Sequence, residues 1–271
     1  MASNLSDEIT LYKTLVIDGS NVSYLDVGQG ANVLLIPGWS LSPRIYEQSA
    51  RQLASNGFRV VVPEVYGLNS KKELALSDRL EGLVDHVGLF AKTVFEDESF
   101  NLVGHSLGGA LSILSLALGR VDVEKLVLVN SIGDPSWVGR NAKASTMNER
   151  PINDWIGAFV MDFAKTRHKN KFVMRLASES LMEFMRNPSR VVQYAMIARS
   201  LDLRAEMELV AKSRTLVLAI WTTDDIVVPR ESFESLALNL KAARVELNGT
   251  HAWIFTASVQ FASLVGEFLK P

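Results

Sequence analysis

Apolar and polar positions along the chain fall into two kinds of segment that alternate. Short runs rich in branched apolar residues recur at Lys13–Ile17, Val22–Val27, Val33–Pro37, Phe58–Pro63, Phe100–Gly104, Lys125–Asn130, Thr215–Trp221 and Arg244–Leu247. Their length and composition predict β-strands. Between most of the later runs apolar residues return every three or four positions, over Ile45–Ser55, Asp78–Phe95, Ser106–Leu118, Glu231–Leu240 and Ala257–Leu269, the period of a helix with one buried face. Such alternation predicts an α/β fold, a mainly parallel, doubly wound sheet of about eight strands with helices on both faces. The first two strands meet through Asp18-Gly19-Ser20, which predicts an antiparallel hairpin at the sheet edge.

The rhythm breaks between Asp134 and Lys212, where helical patterns occur at Asn153–Thr166, Phe172–Met185 and Arg190–Arg199 without a clear strand. The expected organisation is therefore a core formed by residues 1–133 and 213–271, with residues 134–212 inserted as a helical lid. Seven of the eight methionines lie in that insertion: Met147, Met161, Met174, Met182, Met185, Met196 and Met207. Flexible thioethers suit a surface that adapts to apolar ligands, and they serve equally well as ordinary helix packing. The insertion also holds 13 basic against 9 acidic residues, a bias that solvated helix faces explain.

Composition narrows the function classes. With 271 residues, 48% of them hydrophobic, the chain has enough apolar surface for one substantial core. A formal net charge of −2 and the lack of any Lys/Arg block argue against a nucleic-acid partner. The absence of cysteine rules out disulfides, thiolate metal sites and a Cys nucleophile. The polar, acidic start Met1-Ala2-Ser3-Asn4-Leu5-Ser6-Asp7-Glu8 is unlike a signal peptide. No apolar run reaches the length of a transmembrane segment, so the expectation is a soluble, cytoplasmic protein. Its oligomeric state is left open.

Chemistry concentrates at Phe100-Asn101-Leu102-Val103-Gly104-His105-Ser106-Leu107-Gly108-Gly109-Ala110, where a predicted strand runs into a predicted helix through G-x-S-x-G. In that context the serine sits on a sharp turn that lifts its hydroxyl above the sheet, and small flanking residues let strand and helix approach. Ser106 is the expected nucleophile. A serine hydroxyl needs a neutral imidazole to take its proton and a carboxylate to orient that imidazole. Of the four histidines, His105 lies inside the turn, His86 in an apolar helical stretch and His168 in the insertion. His251 lies in Asn248-Gly249-Thr250-His251-Ala252-Trp253, between the last strand and the last helix, at the carboxyl end of the sheet where open α/β folds bind ligands. His251 is the expected base.

The acid is expected between Ser106 and His251, in the chain order this turn motif carries. Thr222-Thr223-Asp224-Asp225 follows the seventh predicted strand and offers Asp225 and Asp224, of which one can face His251.

These motifs, from about Val33 to the C-terminus, resemble the lid-bearing α/β-hydrolase family, in the branch of esterases and cofactor-free haloperoxidases. The family's G-x-x-D pattern, with Thr222 in the glycine place, favours Asp225; some relatives take the acid from the loop after the preceding core strand, which makes Asp134, after Asn130-Ser131-Ile132-Gly133, the alternative. The resemblance assigns the oxyanion-binding N–H groups to Leu107, after the nucleophile, and to Trp39 in Pro37-Gly38-Trp39-Ser40. Pro37 stands where relatives usually carry His, and Pro63-Glu64-Val65-Tyr66-Gly67-Leu68-Asn69-Ser70 departs from Asp-x-x-Gly-x-Gly-x-Ser at Glu64 and Asn69. Trp221, Trp253, Met161 and Met182 are candidate pocket residues.

The implied reaction is acyl transfer from a small-molecule ester with a small to medium apolar group, without metal or cofactor. Thioesters, lactones and C–C bonds are open to the same residues, as is a hydrolase-like receptor for a small ligand. No zinc, calcium, nucleotide or dinucleotide motif competes.

Overall fold

The computed structural model describes residues 11–39, 41–65, 76–96, 98–137, 146–151, 154–155, 157–158, 161–162, 185 and 188–270. Eight strands form one sheet: β1 (Tyr12–Ile17), β2 (Ser20–Gly28), β3 (Ala31–Ile36), β4 (Phe58–Pro63), β5 (Phe100–His105), β6 (Lys125–Val129), β7 (Leu216–Thr222) and β8 (Ala243–Leu247). The spatial order is β1-β2-β4-β3-β5-β6-β7-β8. β1 pairs antiparallel with β2 and β2 with β4, and every later pairing is parallel. This is the predicted mainly parallel sheet, with all eight strands within two residues of the expected bounds at either end.

The sequence of each strand matches its place. β3, β5 and β6 lie in the interior of the sheet, and the side chains of Val33–Ile36, Leu102–His105 and Leu126–Val129 are buried. Strands covered on both faces need continuous apolar runs, and these have them. β1 and β8 are edge strands with mixed exposure. The β1–β2 hairpin turns through Asp18 and Gly19 at φ values of 47° and 75°, the left-handed geometry that two-residue turns between twisted strands require. Asp26 on β2 accepts hydrogen bonds from Lys13 on β1 and Arg59 on β4, pinning the antiparallel edge to the parallel core. Burial opposes the charge on Asp26, but Arg59 and Lys13 outweigh it and hold its pKa below the usual carboxylate value.

Helices cover both faces. On one side lie α1 (Pro43–Ala54) and, near the C-terminus, α7 (Trp253–Thr256) and α8 (Ser258–Leu269), whose core includes Tyr46, Leu53, Trp253 and Phe261. On the other lie α2 (Leu76–Phe95), α3 (Leu107–Ala117) and α6 (Arg230–Asn239). Residues Leu107–Ser115 of α3 are buried, so this helix is apolar all round, as a helix at the centre of a domain must be. Between β6 and β7 the described residues hold a 3₁₀ turn (Met147–Glu149), α4 (Pro188–Ser200) and α5 (Arg204–Ala211). A bridge between Ser136 and Thr146 is the one extended pairing among the described residues of this stretch. Of the helical patterns expected there, Arg190–Arg199 falls within α4. Asn153–Thr166 is helical at its described positions, and Phe172–Met185 lies outside the described residues apart from Met185.

Candidate active site

β5 ends at His105 and α3 begins at Leu107, so a single residue makes the turn from strand to helix. That residue is Ser106, at φ 54° and ψ −119°. A non-glycine residue in this region stores on the order of 1–3 kcal/mol of strain, held only where the surroundings dictate it. Here the dictating contacts are the glycines. A Cβ on Gly108 would lie 2.1 Å from the carbonyl oxygen of Ile36, and one on Gly104 would lie 2.5 Å from the Cα of Gly109. The N–H of Ser106 donates to the carbonyl of Val129 at 3.0 Å, which ties the turn to β6. The first N–H groups of a helix, here beginning with Leu107, have no acceptor inside the helix.

His251 lies in the loop between β8 and α7, with its side chain buried. Its Nδ1 is 2.7 Å from Oδ2 of Asp225. The other oxygen of Asp225 accepts the N–H groups of Val227 and Val228 at 2.7 and 2.8 Å, so the carboxylate is fixed from both ends. Nε2 of His251 is buried with no hydrogen-bond partner among the described residues. With Nδ1–H donated to Asp225, Nε2 is the basic nitrogen. Burial opposes a charge on this ring, but the Asp225 carboxylate through charge and hydrogen bond, and then the charge of Asp162, overcome it and raise the His251 pKa above the ordinary 6.5.

The other two candidate acids sit elsewhere. Asp134 accepts the Ser136 N–H, the Ser235 hydroxyl and the Asn239 amide, while its carbonyl accepts the Ser232 hydroxyl. It fastens the loop after β6 to α6. Asp224 is exposed, with its N–H donated to Gly249.

His105 turns its ring away from the cavity and links three parts of the site. Its Nδ1 lies 2.8 Å from the Tyr46 hydroxyl, its Nε2 lies 3.2 Å from the carbonyl of His251, and the Tyr46 oxygen accepts the Gly38 N–H at 2.7 Å. Burial raises the Tyr46 pKa, and burial followed by the charge of His251 holds the His105 pKa well below 6.5. The phenol is therefore protonated and donates to Nδ1, and neutral His105 donates its Nε2–H to the His251 carbonyl. Gly38 abuts the nucleophile: a Cβ there would lie 3.2 Å from the Cβ of Ser106. Trp39 follows Gly38 directly, so Pro37-Gly38-Trp39 and Leu107 converge on Ser106, where oxyanion donors are needed.

The sequence model of the alpha/beta hydrolase family matches residues 33–264. The chain belongs to that family. By fold and family it is a hydrolase. The AB hydrolase superfamily protein YisY of Bacillus subtilis (strain 168) is 25% identical over 254 residues, covering 90% of this chain and 93% of its own. A putative non-heme haloperoxidase of Mycobacterium phage D29 is 22% identical over 262 residues, covering 94% and 93%. Among solved structures, an esterase from Exiguobacterium antarcticum superposes with a TM-score of 0.76 at 19% identity, covering 96% of this chain and 99% of that one. No helix among the described residues is long and apolar enough to cross a membrane.

In this alpha/beta hydrolase a cavity of about 20 Å³ opens beside the nucleophile, lined by Trp39, Ser106, Leu107, Ile132, Trp155, Ala195, Ala198 and Val227. It is apolar apart from the serine and has room for about one water-sized molecule. Three expected pocket residues lie elsewhere. Trp221 stacks on Phe233 and donates to the Val228 carbonyl, and Trp253 packs against Phe261 on the opposite face. Met161 is 58% exposed, and Met182 lies outside the described residues. Met147 and Met207 are core packing, whereas Met185 and Met196 are exposed. The large wall residues are Trp39 and Trp155, joined by two alanines of α4.

Sequence reasoning missed the groups that hold the hydrolase's loops. Arg150 lies between the rings of Trp137 and Trp155 at 5.7 and 5.4 Å. It donates to the carbonyls of Ile226 and Val227, clasping the loop that carries Asp225. Asn130, at φ 44°, donates to Thr222 and to the carbonyls of Thr250 and His251. A third such residue is Asp162. Its signal was a lone carboxylate among Phe159, Val160, Met161 and Phe163, an environment that demands hydrogen-bond partners if buried.

Proposed function

We propose that this alpha/beta hydrolase is a serine esterase that transfers the acyl part of a carboxylic ester with a small to medium apolar group first to Ser106 and then to water. His251 Nε2 takes the Ser106 proton as Oγ attacks the carbonyl carbon, and the backbone N–H groups of Trp39 and Leu107 receive the charge that develops on the carbonyl oxygen. The intermediate collapses as the imidazolium gives its proton to the departing alkoxide, which leaves as the alcohol. Water then attacks the acyl-enzyme, giving its proton to His251, and Ser106 departs with that proton restored as the carboxylic acid leaves. Asp225 holds the ring tautomer and offsets the imidazolium charge throughout. No metal or cofactor takes part in this sequence.

The observation that carries the reading is the His251–Asp225 pair, whose ring holds a buried Nε2 without a hydrogen-bond partner among the described residues, at the carboxyl end of the sheet where the strained turn sets Ser106. The apolar lining of the cavity supports an apolar acyl or alkyl group, and a similar fold in a named esterase supports the ester. Residues 134–212 act as the lid, with Trp155, Ala195 and Ala198 as its part of the wall. The test is steady-state hydrolysis of p-nitrophenyl acetate and butyrate by wild-type protein and by Ser106→Ala. Turnover that disappears in the variant supports the reading, and folded wild-type protein without turnover on either ester counts against it.

A further inference from the structure

The peptide unit of His251 is gripped as firmly as its ring. Its carbonyl accepts the His105 Nε2–H at 3.2 Å and the Asn130 amide at 3.4 Å. Its N–H donates to Oδ1 of Asp162 at 3.0 Å, and the next N–H, that of Ala252, lies 3.3 Å from Oδ2 of the same carboxylate. Asp162 also bonds the Thr250 side chain. Three consecutive residues of the base-bearing loop thus converge on one carboxylate. Asp162 is fully buried, and it does not belong to the sheet or to the helices that flank the base. It comes from the stretch between β6 and β7, the same stretch that supplies Trp155 and α4 to the cavity wall.

A buried carboxylate is unfavourable unless several donors converge on it, and the groups of Thr250, His251 and Ala252 do so on Asp162. We propose that Asp162 is a positioning residue that holds the His251 loop in its working geometry.

This rests on His251 acting as the base in the reading above. The hydrogen bonds of Asp162 go to the N–H groups of His251 and Ala252 and to Thr250, not to the His251 ring or Ser106, so it acts through the backbone and through its charge. Among the described residues three titratable groups bond the His251 ring and its peptide unit: Asp225 on Nδ1, His105 on the carbonyl side and Asp162 on the N–H side. Burial, followed by the charge of Asp225, raises the pKa of Asp162, whereas the charge of His251 and the loop donors lower it. The negative charge of Asp162 in turn favours protonated His251.

Two substitutions separate geometry from charge. Asp162→Asn keeps one carbonyl oxygen for the His251 N–H but presents an amide donor to the Ala252 N–H and carries no charge. Asp162→Ala removes both. The expected result for Asp162→Ala is a kcat lower by on the order of 10- to 100-fold, the loss that follows small misplacement of a catalytic group, with KM for p-nitrophenyl butyrate within about threefold. Asp162→Asn should recover much of kcat. In both variants the acidic limb of the kcat/KM profile should move to lower pH, because a negative charge near His251 is gone. A purely structural role would lower the melting temperature and leave that limb in place.

Amide hydrogen exchange across residues 249–256 gives a readout that needs no turnover. Exchange at His251 and Ala252 should speed by about tenfold or more in Asp162→Ala, with the central strands unchanged. Unchanged exchange in that loop, or wild-type kcat and an unshifted acidic limb in both variants, would overturn the proposal. Faster loop exchange in a protein whose wild type hydrolyses no ester would leave the Asp162 anchor standing and refute the esterase reading instead.

Discussion

His251 holds its two ring nitrogens in opposite states: Nδ1 is bonded to Asp225 at 2.7 Å, while Nε2 is buried without a partner among the described residues. The ring must be neutral to take a proton from Ser106, and its pKa lies above 6.5. Activity should therefore fall as pH drops through that raised value, and a kcat/KM profile between pH 5 and 9 should show its acidic half-point above 6.5. An acidic half-point below 6.5 would mean that the net influence on the ring has the opposite sign. The two aspartates considered for the acid separate just as sharply. Asp225→Asn should lower kcat by about 10⁴-fold with little change in structure. Asp134→Asn should cost about 1–2 kcal/mol of stability through its three hydrogen bonds and leave kcat within about threefold, as thermal melts and ester assays on the two variants would show.

At the scale of elements, the turn around Ser106 depends on three glycines that allow α3 to meet β3, β5 and the loop after β6. The atoms a Cβ on Gly108 would strike are the carbonyl oxygens of Ile36 and Pro37, at 2.1 and 2.5 Å, and backbone cannot swing aside as a side chain can. Gly108→Ala should therefore displace α3, lowering stability by about 1–3 kcal/mol and kcat by on the order of 100-fold, measured by melting temperature and ester turnover. This element was fully legible in the sequence, because G-x-S-x-G between a strand run and a helix run admits few geometries. The eight strands were legible because their apolar runs are rich in branched residues and cleanly bounded. Asp225 was legible through its place after β7 and before His251.

The residues that hold those groups were much harder to read. Tyr46 and His105 lie 59 positions apart, and Asp162 and His251 lie 89 apart, so no local pattern joins them. Nor did the sequence show that the Gly38 N–H, next to Pro37, is held by Tyr46 from α1. Trp221 and Trp253 pack in the core for a physical reason. Tryptophan beside a site loop suggested lining, yet the large rings of Trp221 and Trp253 repay burial in the core far better than exposure in a small cavity.

For the whole molecule, the cavity is a seam between the sheet's carboxyl end and the residues between β6 and β7. Ala195 and Ala198 on α4 are small residues of its wall, and on the esterase reading proposed above the acyl chain lies against them. Ala198→Phe should therefore lower kcat/KM for p-nitrophenyl butyrate at least about tenfold more than for the acetate, the range expected when methylene-sized space is removed from an apolar pocket. An equal loss on both esters would place the acyl chain elsewhere.

The central claim is that Ser106 is an activated nucleophile. Its most direct test is labelling of the native protein with a fluorophosphonate probe, read by intact mass and by mapping the adduct to a peptide, alongside Ser106→Ala. The account predicts one adduct per chain, located on Ser106 and absent from the variant. A folded wild-type protein that takes no label, or equal labelling of the variant, would contradict it.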